Sequence, residues 1–212
     1  MKKIHHFVFN SFGVNAYVLV DESGKCLLVD PACNSAGEVK KLADFITRNS
    51  LTPVSLINTH FHIDHIVGNT AIGGLYGLKP LCHAQSRLFW ETAPQFGSVF
   101  GINVDDMVIP TEFIADKQTI HYGNSSAQVL YTPGHADGSV CLVNHAEHYV
   151  ITGDVLFRDS IGRTDLPTGD FDLLFESITQ KLFTLPDGFV VYPGHGPSTT
   201  IGYEKLNNPF LR

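Results

Sequence analysis

Residues 58–69 read NTHFHIDHIVGN and place three histidines and an aspartate within six positions, His60, His62, Asp64 and His65. They follow directly on the apolar run VSLIN (54–58), which reads as a buried strand. In α/β folds the loops at the C-terminal ends of strands are where chemistry tends to sit. Imidazoles and a carboxylate this crowded are either a polar loop or one side of a metal site. The rest of the chain decides between the two.

Three further segments share the same grammar, an apolar strand followed at once by an ionisable ligand type. QVLYTPGH ends on His135, YVITGD on Asp154 and FVVYPGH on His195. Taken singly, PGH is a turn bearing an imidazole and TGD is a turn or a helix cap. Their joint occurrence behind four strands makes a candidate set of His60, His62, Asp64, His65, His135, Asp154 and His195. Five imidazoles and two carboxylates suit borderline divalent ions such as zinc, iron or manganese. The four cysteines, Cys26, Cys33, Cys82 and Cys141, have no CxxC spacing. They argue against a closed structural zinc and read as free thiols. The remaining histidines lack ligand-type partners in the pattern and read as surface or packing residues.

Outward from the cluster, NAYVLVD and KCLLVD joined by ESG read as a hairpin. SAGEVKKLADFITRNS then switches period, with Ser35 and Glu38 at capping-box spacing and Val39, Leu42 and Ile46 on one helical face. Pro53 follows that helix. Residues 63–76 suggest a short helix broken by Gly68, Gly73 and Gly74, PLCHA a strand, and QSRLFWETAPQFG a helical piece with Pro94 near its end. Strand patterns return from residue 118. A helix follows with Asp170 as N-cap and Phe171, Leu174, Ile178 and Leu182 as its stripe, closed by Pro186 to Gly188. Each half thus runs strands, helix, strand, His-bearing loop. This predicts an α/β fold in which a two-sheet core carries helices on both outer faces.

At 212 residues the chain fits a single domain over 1–212, and no linker or repeat divides it. With 43% hydrophobic and 17% charged residues it can bury a sizeable core. A formal charge of −7 argues against a nucleic-acid surface and says little about the small-molecule substrate that is the expected partner. The opening MKKIHHFVFNSFGVN lacks the apolar core of a signal peptide, and no run reaches the ~20 apolar residues of a membrane span. No membrane association is expected, and a cytoplasmic location is.

The order HxHxDH, TPGH, GD and PGHG resembles the metallo-β-lactamase superfamily across essentially the whole chain. GDVLFRDSIGRTDLPTGD and YPGHGPSTTIGYEKLNNPFL resemble the short glyoxalase II-like hydrolases within it. The resemblance implies a four-layer αββα sandwich with two divalent ions at one edge, zinc first and iron or manganese next. By position, one ion would take His60, His62 and His135 and the other Asp64, His65 and His195, with Asp154 bridging. Asp30 matches a position just behind the metals, where a carboxylate orients ligand imidazoles; read alone it is a strand-end turn residue. The implied activity is metal-assisted hydrolysis of a thioester such as S-lactoylglutathione, with Asp64 also a local proton acceptor. Arg163 would clamp a substrate carboxylate or pair with Asp165. Persulfide dioxygenases of the same superfamily share the GRTD stretch and use one iron, which would fall here to His60, His135 and Asp154. Lactone hydrolysis and a non-catalytic metal-binding module are the other readings.

Overall fold

Side chains along residues 17–20 alternate between two packed layers, Tyr17 and Leu19 entering one and Val18 and Val20 the other. A strand buried on both faces must have a layer on each side. The computed structural model, which describes residues 3–212 apart from positions 103 and 105, supplies both. Strand β2 (Val14–Val20) pairs antiparallel with β1 (Ile4–Phe9) and with β3 (Lys25–Val29). From β3 the sheet continues in parallel through β4 (Thr52–Ile57), β5 (Pro80–His83) and β6 (Phe113–Ile114). The second sheet is built from β7 (Thr119–Tyr122), β8 (Ser125–Tyr131), β9 (Val140–Asn144) and β10 (Tyr149–Gly153). A small hairpin, β11 (Leu156–Phe157) and β12 (Ser160–Ile161), stands apart, and β13 (Val190–Pro193) and β14 (Thr199–Thr200) complete the sheet in the order β14-β13-β10-β9-β8-β7.

Between the sheets lie Leu19, Leu27 and Ile57 from the first and Val129, Leu142 and Ile151 from the second. The outer face of the first sheet, with Val18, Leu28 and Leu56, is covered by Leu42 and Ile46 of α1 (Ala36–Arg48) and by Ile72. On the second, Val143, Val150 and Val191 pack under Leu174 and Ile178 of α5 (Phe171–Gln180). The order is helix, sheet, sheet, helix: the αββα sandwich. Each such fully buried aliphatic contributes about 1.5–3 kcal/mol, so three contiguous layers carry most of the fold's stability.

Local signals act as their chemistry requires, with instructive departures. Ser35 caps α1 by accepting from Glu38 N–H at 3.2 Å, but the Glu38 carboxylate takes the amides of Asn10 and Asn34 instead of returning to Ser35. Asp170 caps α5 through Leu173 N–H. That helix ends at Gln180, well before Pro186, and one 3₁₀ turn fills the interval. Gly68 separates α2 (Ile63–Ile66) from α3 (Asn69–Tyr76), whereas Gly73 and Gly74 lie inside α3. A Cβ at Gly73 would meet the carbonyl of Leu78, so close approach rather than helix breaking explains that glycine. Helix α4 (Arg87–Phe100) runs through Pro94. The bond lost to the carbonyl four residues back is offset by burial of Phe89 and Ala93 on one face. Pro53 lies within β4, where β3 is its strand neighbour and β5 has not yet begun to pair.

The C-terminal helix α6 (Ile201–Asn207) fastens the segment that follows β10. Its Glu204 is fully buried and accepts from Asp159 N–H, Thr199 Oγ1–H and Asn208 Nδ2–H. Glu204→Ala would take the acceptor from the buried Thr199 hydroxyl and Asn208 amide and from the Asp159 N–H. It is expected to lower unfolding free energy by about 3 kcal/mol in urea denaturation. A change under ~0.5 kcal/mol would place Glu204 among indifferent surface positions. All four cysteines are buried free thiols, each pushed by burial up to about 12. Among the described residues, no helix is long and apolar enough to cross a membrane.

Candidate metal centre

Strand direction decides where the ligand types gather. β3 and β4 run parallel, as do β10 and β13, and β8 shares the direction of β10 because each is antiparallel to β9. The C-terminal ends of these five strands therefore deliver Asp30, residues 58–65, His135, Asp154 and His195 to one edge. The two sheets are laced together there by Asn15 N–H to the Gly194 carbonyl at 2.7 Å and by a β-bridge between Val14 and His195.

All seven sequence candidates meet at this edge. Their donor atoms fall into three overlapping groups, His60–His62–His135, His60–His65–Asp154 and Asp64–His65–His195, each within 4.8 Å. His62 Nδ1 lies 3.0 Å from His135 Nε2, and His65 Nε2 lies 3.3 Å from His195 Nε2. Asp64 Oδ2 stands 3.4 Å from His195 Nε2 and 3.8 Å from His65 Nε2. Asp154 straddles the groups, with Oδ1 3.4 Å from His65 Nε2 and Oδ2 3.5 Å from His195 Nε2 and 3.7 Å from His135 Nε2. Ligands bonded at 2.0–2.1 Å to a tetrahedral ion are separated by roughly 3.3 Å, so these spacings are those of a ligand cage.

The imidazoles are also turned the right way. His135 Nδ1 and His195 Nδ1 each face a backbone carbonyl, of Arg163 at 2.8 Å and of Phe12 at 3.1 Å. A carbonyl only accepts, so each Nδ1 carries the proton and each Nε2 presents a lone pair to the centre. His65 Nδ1 donates to Asp30 Oδ2 at 3.0 Å. Thr59 Oγ1 gives its own proton to Asp30 Oδ2 at 2.6 Å and so accepts from His60 Nδ1 at 3.2 Å. One carboxylate thereby sets the tautomer of two imidazoles, the role that a group behind metal ligands plays.

What the protein leaves unmet is specific. His60 Nε2 and Asp154 Oδ1 are buried without a hydrogen bond among the described residues. An unsatisfied buried polar atom costs about 1–3 kcal/mol, and a divalent ion between these atoms would remove that penalty. Burial, aided by neighbouring imidazoles, holds His60 well below the ordinary histidine range and His62 at about 3. Burial lowers His135 as well. At His65 burial is outweighed by Asp154, Asp64 and Asp30, and at His195 by Asp64 and Asp154, so both are raised. Asp154 stays ionised despite burial because His65, His195 and His135 surround it. The donor set fits two divalent ions.

A pH dependence follows from these opposed shifts. Lowered values leave His60, His62 and His135 as free lone pairs even below the usual histidine pKa of ~6.5. Raised values keep protons on His65 and His195 at that pH, where an ion must displace them. Calorimetric titration with Zn²⁺ is expected to show the Asp64–His65–His195 site weakening more than the His60–His62–His135 site as pH falls through ~6.5, with more protons released on filling the former. Equal weakening of the two sites would contradict this.

Several contributors carry no signature in the sequence. The Arg163 side chain is held bidentately by Asp165, at 2.7 Å for both contacts, so of its two readings the pairing is the one realised. Its contribution to the centre is the carbonyl on His135. Asn15 Nδ2 donates to the carbonyls of Pro193 and Gly196, either side of His195, while its Oδ1 meets His6 Nε2 at 2.8 Å. His6, read from sequence as surface or packing, thus backs the last ligand loop. Gly194 has no room for a side chain, because a Cβ there would run into Asp154 Oδ1. A cavity of about 400 Å³ opens onto the centre. His62, Asp64, His135, Asp154 and His195 line it together with aromatic and aliphatic side chains.

A family model described as the metallo-beta-lactamase superfamily matches residues 10–195. A probable metallo-hydrolase of Streptococcus pyogenes is 38% identical over all of this chain and 91% of its own length. Hydroxyacylglutathione hydrolase GloC of Haemophilus influenzae is 32% identical over 95% of this chain and 94% of its own. Among solved structures, a protein in a di-iron-bound form superposes with a TM-score of 0.86 at 31% identity, covering 98% of this chain and all of that one. The BLEG-1 B3 metallo-beta-lactamase superposes at 0.85 with 32% identity, covering 98% and 99%.

Proposed function

The chain belongs to the metallo-beta-lactamase superfamily, and from that premise we propose that it is a two-metal, zinc-dependent hydrolase of thioesters. The observation that carries the two-ion reading is the completeness of the Asp64–His65–His195 group beside His60–His62–His135, with the two oxygens of Asp154 turned to both. A single iron on His60, His135 and Asp154 would leave the other group with nothing to hold. The thioester class is supported by the likeness to hydroxyacylglutathione hydrolase GloC, which extends over nearly the full length of both chains.

Divalent ions bound here would supply a water acidic enough to attack at neutral pH and a Lewis acid for the acyl oxygen. The protein's own groups do the rest. His60, His65, His135 and His195 present lone pairs fixed by their hydrogen bonds, so little rearrangement is needed on binding. Asp64, beside His195 and more open to solvent than the buried imidazoles, takes the proton released by the attacking water. A leaving thiolate with an aqueous pKa near ~8.5 departs without a dedicated acid. None of the lysine, tyrosine or cysteine side chains is among the described residues lining the cavity, which accords with a reaction that needs no such donor.

The test is metal content of protein purified without chelator, measured beside turnover of thioesters, a lactone and a β-lactam. Two ions per chain and selective thioester cleavage are expected. One iron per chain with oxygen uptake on glutathione persulfide would overturn the reading, as would cleavage of the β-lactam alone.

A further inference from the structure

We infer that the cavity selects thioesters whose acyl group is apolar and whose thiol portion is uncharged, in preference to conjugates of the charged tripeptide glutathione. This rests on the thioesterase reading and narrows it. Outside the ligand cluster the cavity wall is Phe12, Phe61, Phe89, Phe96, Val99 and Leu166 among others. Three of these are large apolar side chains left in contact with solvent, Phe12 at 41%, Phe96 at 38% and Val99 at 76% exposure. They come from two separated segments, the β1–β2 turn and α4, yet line one hollow beside the centre. Exposed apolar groups that converge on a concave site mark a surface meant to be covered.

Charge points the same way. Outside the ligand cluster Arg163 is the one cation among the described lining residues, and the Nε–Nη2 edge of its guanidinium is engaged by Asp165. Glutathione brings two carboxylates and an ammonium. Away from the centre these would lose water against phenyl and aliphatic walls without gaining partners, which is unfavourable. A linear acyl chain gains there instead, up to ~0.8 kcal/mol per methylene buried.

The experiment varies one end of the substrate at a time, using the metal-loaded full chain. With N-acetylcysteamine as the thiol, kcat/KM for the hexanoyl thioester is expected to exceed that for the acetyl thioester about tenfold or more. With hexanoyl fixed, transfer to glutathione is expected to lower kcat/KM. The double substitution Phe96→Ser, Val99→Ser is expected to bring the hexanoyl-to-acetyl ratio towards unity. Binding is read separately with inert thioethers. Trp90, the sole tryptophan, packs edge-on to Phe61 at 5.7 Å between centroids and reports occupancy by fluorescence. S-hexyl-N-acetylcysteamine is expected to bind more tightly than S-hexylglutathione. An acyl ratio near unity, or tighter binding and faster cleavage on the glutathione side, overturns the inference and leaves thioester hydrolysis standing. Absence of all thioester cleavage overturns the functional reading, and the thioether affinities then decide the cavity preference by themselves.

Discussion

Asp154→Ala is expected to release bound metal and to abolish turnover. Its two oxygens face different imidazoles, Oδ1 towards His65 and Oδ2 towards His135 and His195, so no other side chain belongs to both groups in the same way. Removing it also withdraws the negative charge that most raises His65, so that imidazole loses its largest compensation while remaining fully buried. The fall in activity is expected to exceed the 10–100-fold typical of losing a group behind a ligand. Metal analysis and thioester turnover check the result, and circular dichroism with Asp154→Asn, which keeps the shape, separates loss of ions from loss of fold. Two bound ions and retained turnover in either variant would remove Asp154 from the centre.

Asp30→Asn weakens the centre without dismantling it. Asp30 receives Thr59 N–H at 2.8 Å, Thr59 Oγ1–H and His65 Nδ1–H, and so fixes His65 directly and His60 through the threonine. Its φ of +46° lies in the left-handed region, which asparagine tolerates well, so this substitution spares the backbone. An amide has one acceptor oxygen where the carboxylate has two, and its NH₂ opposes the donors it meets. Zinc affinity is expected to fall about 10–100-fold in a competition titration, with activity restored at saturating zinc. That rescue distinguishes it from Asp154→Ala. Failure of rescue, with a normal melting curve, would mean that Asp30 acts on the reaction and not on the ligands.

Residues that announce themselves do so through side-chain type and period. His60, His62, Asp64 and His65 stand in one window, and His135, Asp154 and His195 each follow an apolar strand, so all seven were legible. The layers were legible too, because alternation in the strands and the stripe of Leu42 and Ile46 are local patterns. What orients the ligands was not. The carbonyls of Arg163 and Phe12 exist at every residue, and Thr59 and Asn15 are ordinary strand and loop residues until folding sets them against His60 and Gly194. The sequence places Pro94 near the end of α4 because proline carries a local penalty, while the burial of Phe89 and Ala93 that offsets it is tertiary. Strand β1 carries no clear strand signature, since His5 and His6 interrupt its apolar pattern.

The lacing of the N-terminal hairpin to the loop at His195 has a consequence for biosynthesis. The groups that make up His60–His62–His135 are all present once the ribosome has passed residue 135, but the partner group waits for His195, 60 residues further on. At ~5–20 residues per second that interval is roughly 3–12 s. On the proposed two-ion reading, the donors for a first ion would therefore be assembled while translation continues, and those for a second only when the closing loop docks on Asn15.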